Sequence, residues 1–153
     1  MPTTKARLSP ETAKLTARIV SYRRSYFIGY MGVKNEFVDD EAVLDVEGVI
    51  ERASKPYNKH LGLPVSFRML HSERYGATKT RTMSPFGSIS LQSRERWVLA
   101  YLPPQPFWAL PDLISEGAQI IDCTFKPMRR GFGDLLSMYL GREEDLAEDA
   151  ASS

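Results

Sequence analysis

Short runs in which apolar and polar residues alternate recur along this chain, and they constrain its fold more than any other feature. Residues 64–71 place a valine, a phenylalanine and a methionine on one face, with the period of a half-buried strand. Residues 42–53 alternate in the same way around Gly48, where a bulge or a sharp bend is expected. Helical spacing of some apolar residues leaves a helix as the alternative for this second run. We interpret both runs as strands of a mainly β protein.

Further short elements follow, separated by glycine or proline. Residues 88–91 and 97–102 indicate a hairpin. Residues 119–125 and 134–140 indicate two strands, joined by a turn that contains proline and glycine. Residues 107–115 lie between these pairs and have the apolar spacing of a short helix.

The N-terminal region has the pattern of a helix. Ser9 and Pro10 are residue types preferred at a helix start. Apolar residues then follow at spacings of four, three and four positions: Leu15, Ile19, Tyr22 and Tyr26. These spacings place one apolar stripe along a helix. We therefore predict a helix over residues 9–24 that packs on the sheet.

Charge is distributed unevenly along the chain. The formal net charge is +1, but residues 142–153 carry one arginine against five acidic residues, a local charge of −4. The remaining residues therefore carry +5, and residues 52–96 contain nine basic residues against two acidic ones. We predict one globular domain over residues 1–141 and a disordered acidic tail over 142–153. The basic body predicts an anionic partner.

Composition excludes several classes of protein. One cysteine and two histidines give neither an internal disulfide nor a zinc quartet. No apolar run approaches the roughly 18 residues of a membrane span, and no apolar segment follows the basic N-terminus, so a cytoplasmic protein is expected. The sequence has no nucleophile with a nearby base, and we interpret the carboxylates of Asp45, Glu47 and Glu51, which share a strand face, as a solvated surface, so we expect neither an enzyme nor a cofactor. Cys123 lies in an apolar run and is expected to be buried.

The order of the elements from residue 42 to residue 141 resembles a known family. The bacterial single-stranded-DNA-binding proteins and their primosomal relatives have Gly-x-Pro-Val-x-Phe-x-Leu after the first strand, and residues 62–70 read Gly-Leu-Pro-Val-Ser-Phe-Arg-Met-Leu. A tryptophan-bearing strand at 96–101 and a glycine-containing entry into the next strand at 113–121 fill later positions of that pattern. The resemblance implies a five-stranded OB-like barrel with a short helix between strands three and four.

The basic block and the resemblance together predict single-stranded nucleic-acid binding, accessory to DNA replication, recombination or plasmid maintenance. Such binding needs cations for the phosphates and aromatic faces on which bases stack. In an OB-fold, the loop between strands one and two and the loop between strands four and five flank the binding face. The candidate nucleic-acid-binding residues are Lys55, Tyr57, Lys59, Arg68, Arg74, Lys79, Arg81, Lys126, Arg129, Arg130 and Phe132.

Other aromatic residues carry the alternative function. Trp97 and Tyr101 share a strand face with Leu99, and we expect this face to point into the core. Phe107 and Trp108 follow prolines and are candidate anchors for a protein partner. The alternative is therefore an interaction module, an adaptor or an inhibitor, that does not bind nucleic acid. The acidic tail is a second candidate contact for a protein partner, and exposed sheet edges predict a homodimer or homotetramer.

Overall fold

The computed structural model of this chain describes residues 12–31, 37–71, 87–127 and 130–145. Within these ranges it has a short 3₁₀ helix (Tyr57–His60), one α-helix of 12 residues, seven strands and a helical segment at residues 143–145. The strands and the α-helix are β1 (Ala13–Met31), β2 (Phe37–Ala53), β3 (Pro64–His71), β4 (Gly87–Leu91), β5 (Arg96–Tyr101), α1 (Pro104–Ser115), β6 (Ile120–Phe125) and β7 (Phe132–Gly141).

The seven strands close into a barrel in the order β1-β2-β3-β5-β4-β7-β6, and β6 pairs with β1 to complete the ring. All neighbours are antiparallel except β3 and β5. The prediction of a mainly β barrel is confirmed, but the predicted count of five strands is wrong. The 88–102 hairpin contributes two separate strands to the barrel, β4 and β5, and the N-terminal segment contributes one more, β1.

The predicted helix over residues 9–24 is wrong in its described part, because residues 13–24 belong to β1. The inward positions at the start of β1 are Ala13, Leu15 and Ala17, and all three are buried. Two of them are alanines, so the period of two that marks a strand is weak in the sequence. Tyr22 and Tyr26, which completed the helical stripe, are both exposed. Residues 9–11 lie outside the described part of the chain.

The barrel interior is filled by the apolar face of each strand. Leu44, Val46, Phe67 and Met69 are fully buried, as the alternating runs predicted, and Cys123 is buried too. On β5 the predicted face is wrong, because Val98 and Ala100 point inward while Trp97, Leu99 and Tyr101 are half-buried on the other side. Both faces of this strand are apolar, so the pattern does not determine which one is internal.

Helix α1 covers one end of the barrel. It spans the predicted short helix, and its Phe107 and Leu110 are buried. The Phe107 ring lies 6.0 Å from the His71 ring at the end of β3. Among the described residues, no helix is long and apolar enough to cross a membrane.

Gly48 allows β1 and β2 to approach closely. A Cβ atom there would lie 2.8 Å from the Arg18 carbonyl oxygen and 3.3 Å from the Ala17 Cβ. Gly48 pairs with Ile19, beside a register irregularity between Ile19 and Ser21. The irregularity expected at Gly48 is therefore present, although the extra residue lies in the partner strand.

Strands β1 and β2 continue beyond the barrel as a two-stranded ribbon. The pairing of β1 with β6 ends at Arg18, whereas its pairing with β2 continues to Met31. The pairing of β2 with β3 ends at Ala42, opposite His71. Residues 27–31 and 37–41 thus pair only with each other within the described chain, and we call them the hairpin extension.

Candidate nucleic-acid interface

Three connections meet at the end of the barrel opposite α1. They are the β2–β3 loop (residues 54–63), the β4–β5 turn (residues 92–95) and the β6–β7 turn (residues 126–131, of which 128 and 129 lie outside the described residues). Neighbouring antiparallel strands bring these connections to one end because the strands run alternately up and down the barrel wall.

Direct contacts join the three connections. The Tyr57 ring of the β2–β3 loop packs edge-on against Phe125, with centroids 5.2 Å apart. Leu91 N donates to Gly131 O at 3.2 Å, which ties the β4–β5 turn to the β6–β7 turn. Arg96 Nε donates to Pro64 O at 2.7 Å, which ties the start of β5 to the end of the β2–β3 loop. The three connections therefore form one continuous rim.

The rim carries an excess of positive charge. Its described residues include five exposed cations against one carboxylate, Glu95. None of the five forms an ion pair with a described residue. We call these five residues the basic rim: Lys55, Lys59, Arg94, Lys126 and Arg130. An unpaired cluster of cations attracts phosphate groups.

An exposed aromatic ring adjoins the basic rim. Phe132, the first residue of β7, is 50% exposed. It pairs with Ser90, which pairs in turn with Trp97, and the Phe132 and Trp97 rings lie 6.1 Å apart over the buried Ser90. The free face of Phe132 is the kind of surface on which an unpaired base stacks.

The structure brings together some of the predicted site residues and separates others. Lys55, Lys59, Lys126, Arg130 and Phe132 lie on or beside the rim. Tyr57 is half-buried, and its packing against Phe125 gives it a structural role. Arg94 is not among the predicted site residues, because the sequence of a hairpin turn does not indicate which other turns lie beside it. Arg74, Lys79, Arg81 and Arg129 lie outside the described residues.

Arg68 is engaged elsewhere, so its assignment to the nucleic-acid site is not supported. It lies on the outer face of β3 and donates from Nε and Nη2 to the two Asp45 oxygens, at 2.8 and 3.1 Å. Arg23 Nη2 lies 3.6 Å from the same carboxylate. The hydrogen bonds from Arg68 hold the pKa of Asp45 below its ordinary value, and burial opposes this effect.

The two predicted partner anchors, Phe107 and Trp108, differ in their exposure. Phe107 is 2% exposed and belongs to the core, so its assignment as an exposed anchor is wrong. Trp108 is 52% exposed and packs edge-on against Phe107 at 5.1 Å. It lines a shallow cavity of about 230 Å³ together with Arg24, Tyr26 and Pro111. This cavity lies beside α1, at the far end of the barrel from the basic rim.

The first residues of the acidic segment lie against the barrel. Residues 143–145 are helical, so the prediction of disorder from residue 142 onward is wrong for them. Glu143 accepts hydrogen bonds from Arg18 Nη2 at 3.1 Å and from Arg52 Nη2 at 3.4 Å. Arg142 Nη2 donates to Glu116 O at 3.2 Å, at the end of α1. Residues 146–153 lie outside the described part of the chain.

His60 and Cys123 are buried side chains of types that can titrate or bind a metal. His60 is 3% exposed, and its Nε2 has no hydrogen-bond partner in the described structure. Burial lowers the pKa of His60, and the charges of Lys59 and Arg96 lower it further. Burial raises the pKa of the Cys123 thiol, which keeps it protonated. The described residues contain no cluster of three or more His, Cys, Asp or Glu residues that could hold a metal ion.

Comparison of the chain with protein-family models, with curated proteins and with solved structures finds no match. The resemblance to the single-stranded-DNA-binding family therefore stays a prediction. The case for a function depends on the geometry and charge of this chain.

Proposed function

We propose that this protein binds single-stranded nucleic acid on the rim of an OB-like barrel. The observation that carries the proposal is the basic rim, five exposed and unpaired cations on three connections held together by direct contacts. Because the connections are bonded to one another, the cations are held in place before the ligand arrives, and this lowers the entropic cost of binding.

Each cation of the basic rim neutralises one phosphate and releases condensed counterions. For single strands each such contact contributes a slope of about −0.7 to the dependence of log K on log salt. Five contacts give a slope of about −3.5, which is roughly a hundredfold loss of affinity between about 50 and about 200 mM salt. Phe132 adds base stacking worth about 1 to 3 kcal/mol.

A preference for single strands follows from the position of Phe132. Its exposed ring face can stack only on a base whose own face is open, and the bases of a duplex are already stacked on their neighbours. The cations alone would attract duplex and single strand alike, because phosphates carry no information on strand state. The Phe132 ring is therefore the group that distinguishes single-stranded nucleic acid from a duplex.

Fluorescence anisotropy of a labelled oligothymidine, with a duplex of equal length in parallel, tests the proposal. We expect tighter binding of the oligothymidine, and we expect the change Phe132→Ala to reduce that preference. The variant Arg68→Gln is the matched control, because it removes one charge that the structure places in an ion pair away from the rim. Absence of binding at low salt, or equal loss with Arg68→Gln and Arg130→Gln, would overturn the proposal.

A further inference from the structure

The outer edge of β1 is unpaired along its second half. β6 pairs with β1 only from Ala13 to Arg18, and Ile19 N donates to Gln119 O at 2.8 Å just beyond. From Val20 to Met31, no described strand lies on this side of β1. Such an edge presents a row of unpaired N–H and C=O groups, which is a template for another strand.

The same segment carries large apolar side chains in solvent. Five residues between positions 20 and 28 are 42% to 66% exposed: Val20, Tyr22, Tyr26, Phe27 and Ile28. A cluster of this kind marks an interaction surface more often than a free one. Arg24 interrupts the cluster and forms no ion pair with a described residue, so a partner must supply negative charge near it, whereas Arg23 already lies 3.6 Å from the Asp45 carboxylate.

We propose that a second copy of this chain covers this edge, with the two β1 strands antiparallel across a twofold axis at Tyr26. Alternation and charge define this pairing, which does not depend on the proposed nucleic-acid function. Two directly opposed residues of an antiparallel pair either both turn their N–H and C=O groups toward each other or both turn them away. Residues of the two orientations alternate along a strand. Two identical strands can therefore pair only in registers that place residues of the same orientation opposite each other, and these are every second register.

Charge then selects one of the open registers. With Tyr26 opposite its own copy, Arg24 lies opposite Ile28 of the second copy, and Ile28 pairs with Asp40 within that copy. Arg24 and Asp40 then lie in one row, on the same face of the sheet and two strands apart. Their backbones are about 10 Å apart, and the two extended side chains together span that distance.

The neighbouring registers are less favourable. The register that opposes Arg24 to Arg24 sets like charges together. The register that opposes Arg24 to Tyr26 brings Arg24 into the row of Ala42, an apolar residue. The register that opposes Arg24 to Tyr30 brings it into the row of Val38. Of these registers, only the one with the twofold axis at Tyr26 brings Arg24 into the row of an acidic residue.

Sedimentation velocity of the full chain from about 1 to about 200 µM tests this pairing, since weak homodimers form within that range. We expect the wild type to reach twice the chain mass of 17.3 kDa. We expect Arg24→Glu and Asp40→Lys each to weaken the dimer at least tenfold, because both set like charges in the shared row. An equal mixture of the two variants should dimerise again, because each row of the mixed dimer then joins opposite charges.

Recovery on mixing separates a contact between copies from a fold defect, which mixing cannot repair. Lys14→Glu is the control, because it reverses one exposed charge near the start of β1, where Lys14 pairs with Thr124 of β6 and its carbonyl accepts a hydrogen bond from Ser54 N. Circular dichroism of each variant establishes that the barrel is folded. A wild type that stays monomeric at the highest concentration, or single variants that dimerise as the wild type does, would overturn the proposal. So would a mixture that remains monomeric.

Discussion

The carboxylate of Asp45 determines the role of Arg68, which the sequence alone does not define. From its strand face alone, Arg68 looks available for a phosphate. In the fold, β2 and β3 pair Asp45 directly opposite Arg68. The two side chains form two hydrogen bonds, and Arg23 approaches the same carboxylate from β1. A cross-strand pair of this kind stabilises the sheet and takes Arg68 out of the candidate site.

We expect Asp45→Asn to lower the free energy of unfolding by about 0.5 to 1 kcal/mol at neutral pH, since the pair is partly exposed. Because the pKa of Asp45 is lowered in the folded state, its contribution is complete above the ordinary carboxyl pKa and is lost as the pH falls through the lowered value. Urea unfolding of both proteins at several pH values measures this. A difference that stays constant down to pH of about 2 would contradict the assignment.

His60 also makes the protein less stable toward low pH, because the fold keeps its imidazole neutral. The unfolded chain takes up a proton near the ordinary imidazole pKa of about 6.5, whereas the folded chain resists it. Stability is therefore complete above that pH and decreases as the pH falls below it. We expect this decrease to be smaller in His60→Gln, measured by urea unfolding from pH of about 8 to about 5.5. Equal decreases in the two proteins would show that another group is responsible.

At the scale of elements, strands β2, β3 and β6 are predictable because one face of each is apolar and the other polar. β1 is not, since alanine fills two of its inward positions and its exposed tyrosines mimic a helical stripe. β5 is recognisable as a strand, but its inward face is not, because Trp97, Leu99 and Tyr101 alternate as regularly as Val98 and Ala100 do. Local pattern identifies an element only where burial differs between its faces.

Gly48 is the position at which the β1–β2 pairing is most sensitive to a side chain. We expect Gly48→Ala to lower the free energy of unfolding by about 1 to 3 kcal/mol, because a Cβ there meets the Arg18 carbonyl at 2.8 Å and the backbone must shift. Thermal unfolding beside Ser21→Ala, an exposed position on the facing strand, measures the effect. Equal stability of Gly48→Ala and the wild type would show that the strands separate there without cost.

At the scale of the whole molecule, barrel closure determines which charges become neighbours. Lys55 and Lys126 are far apart in the sequence, yet Tyr57 and Phe125 bring their connections together. The sequence identified four of the five rim cations, because turn composition and charge are local properties. It could not separate Arg68 from them or add Arg94, since both outcomes depend on which strands pair.

The salt dependence of oligothymidine binding tests the central claim most directly, because it counts the phosphate contacts. The basic rim predicts a slope of log K against log salt of about −3.5, and Lys126→Ala combined with Arg130→Ala should reduce its magnitude to about 2. Arg68→Gln should leave the slope unchanged. A slope near zero for the wild type, or the same slope in the rim variant, would contradict the claim that these cations hold the phosphates.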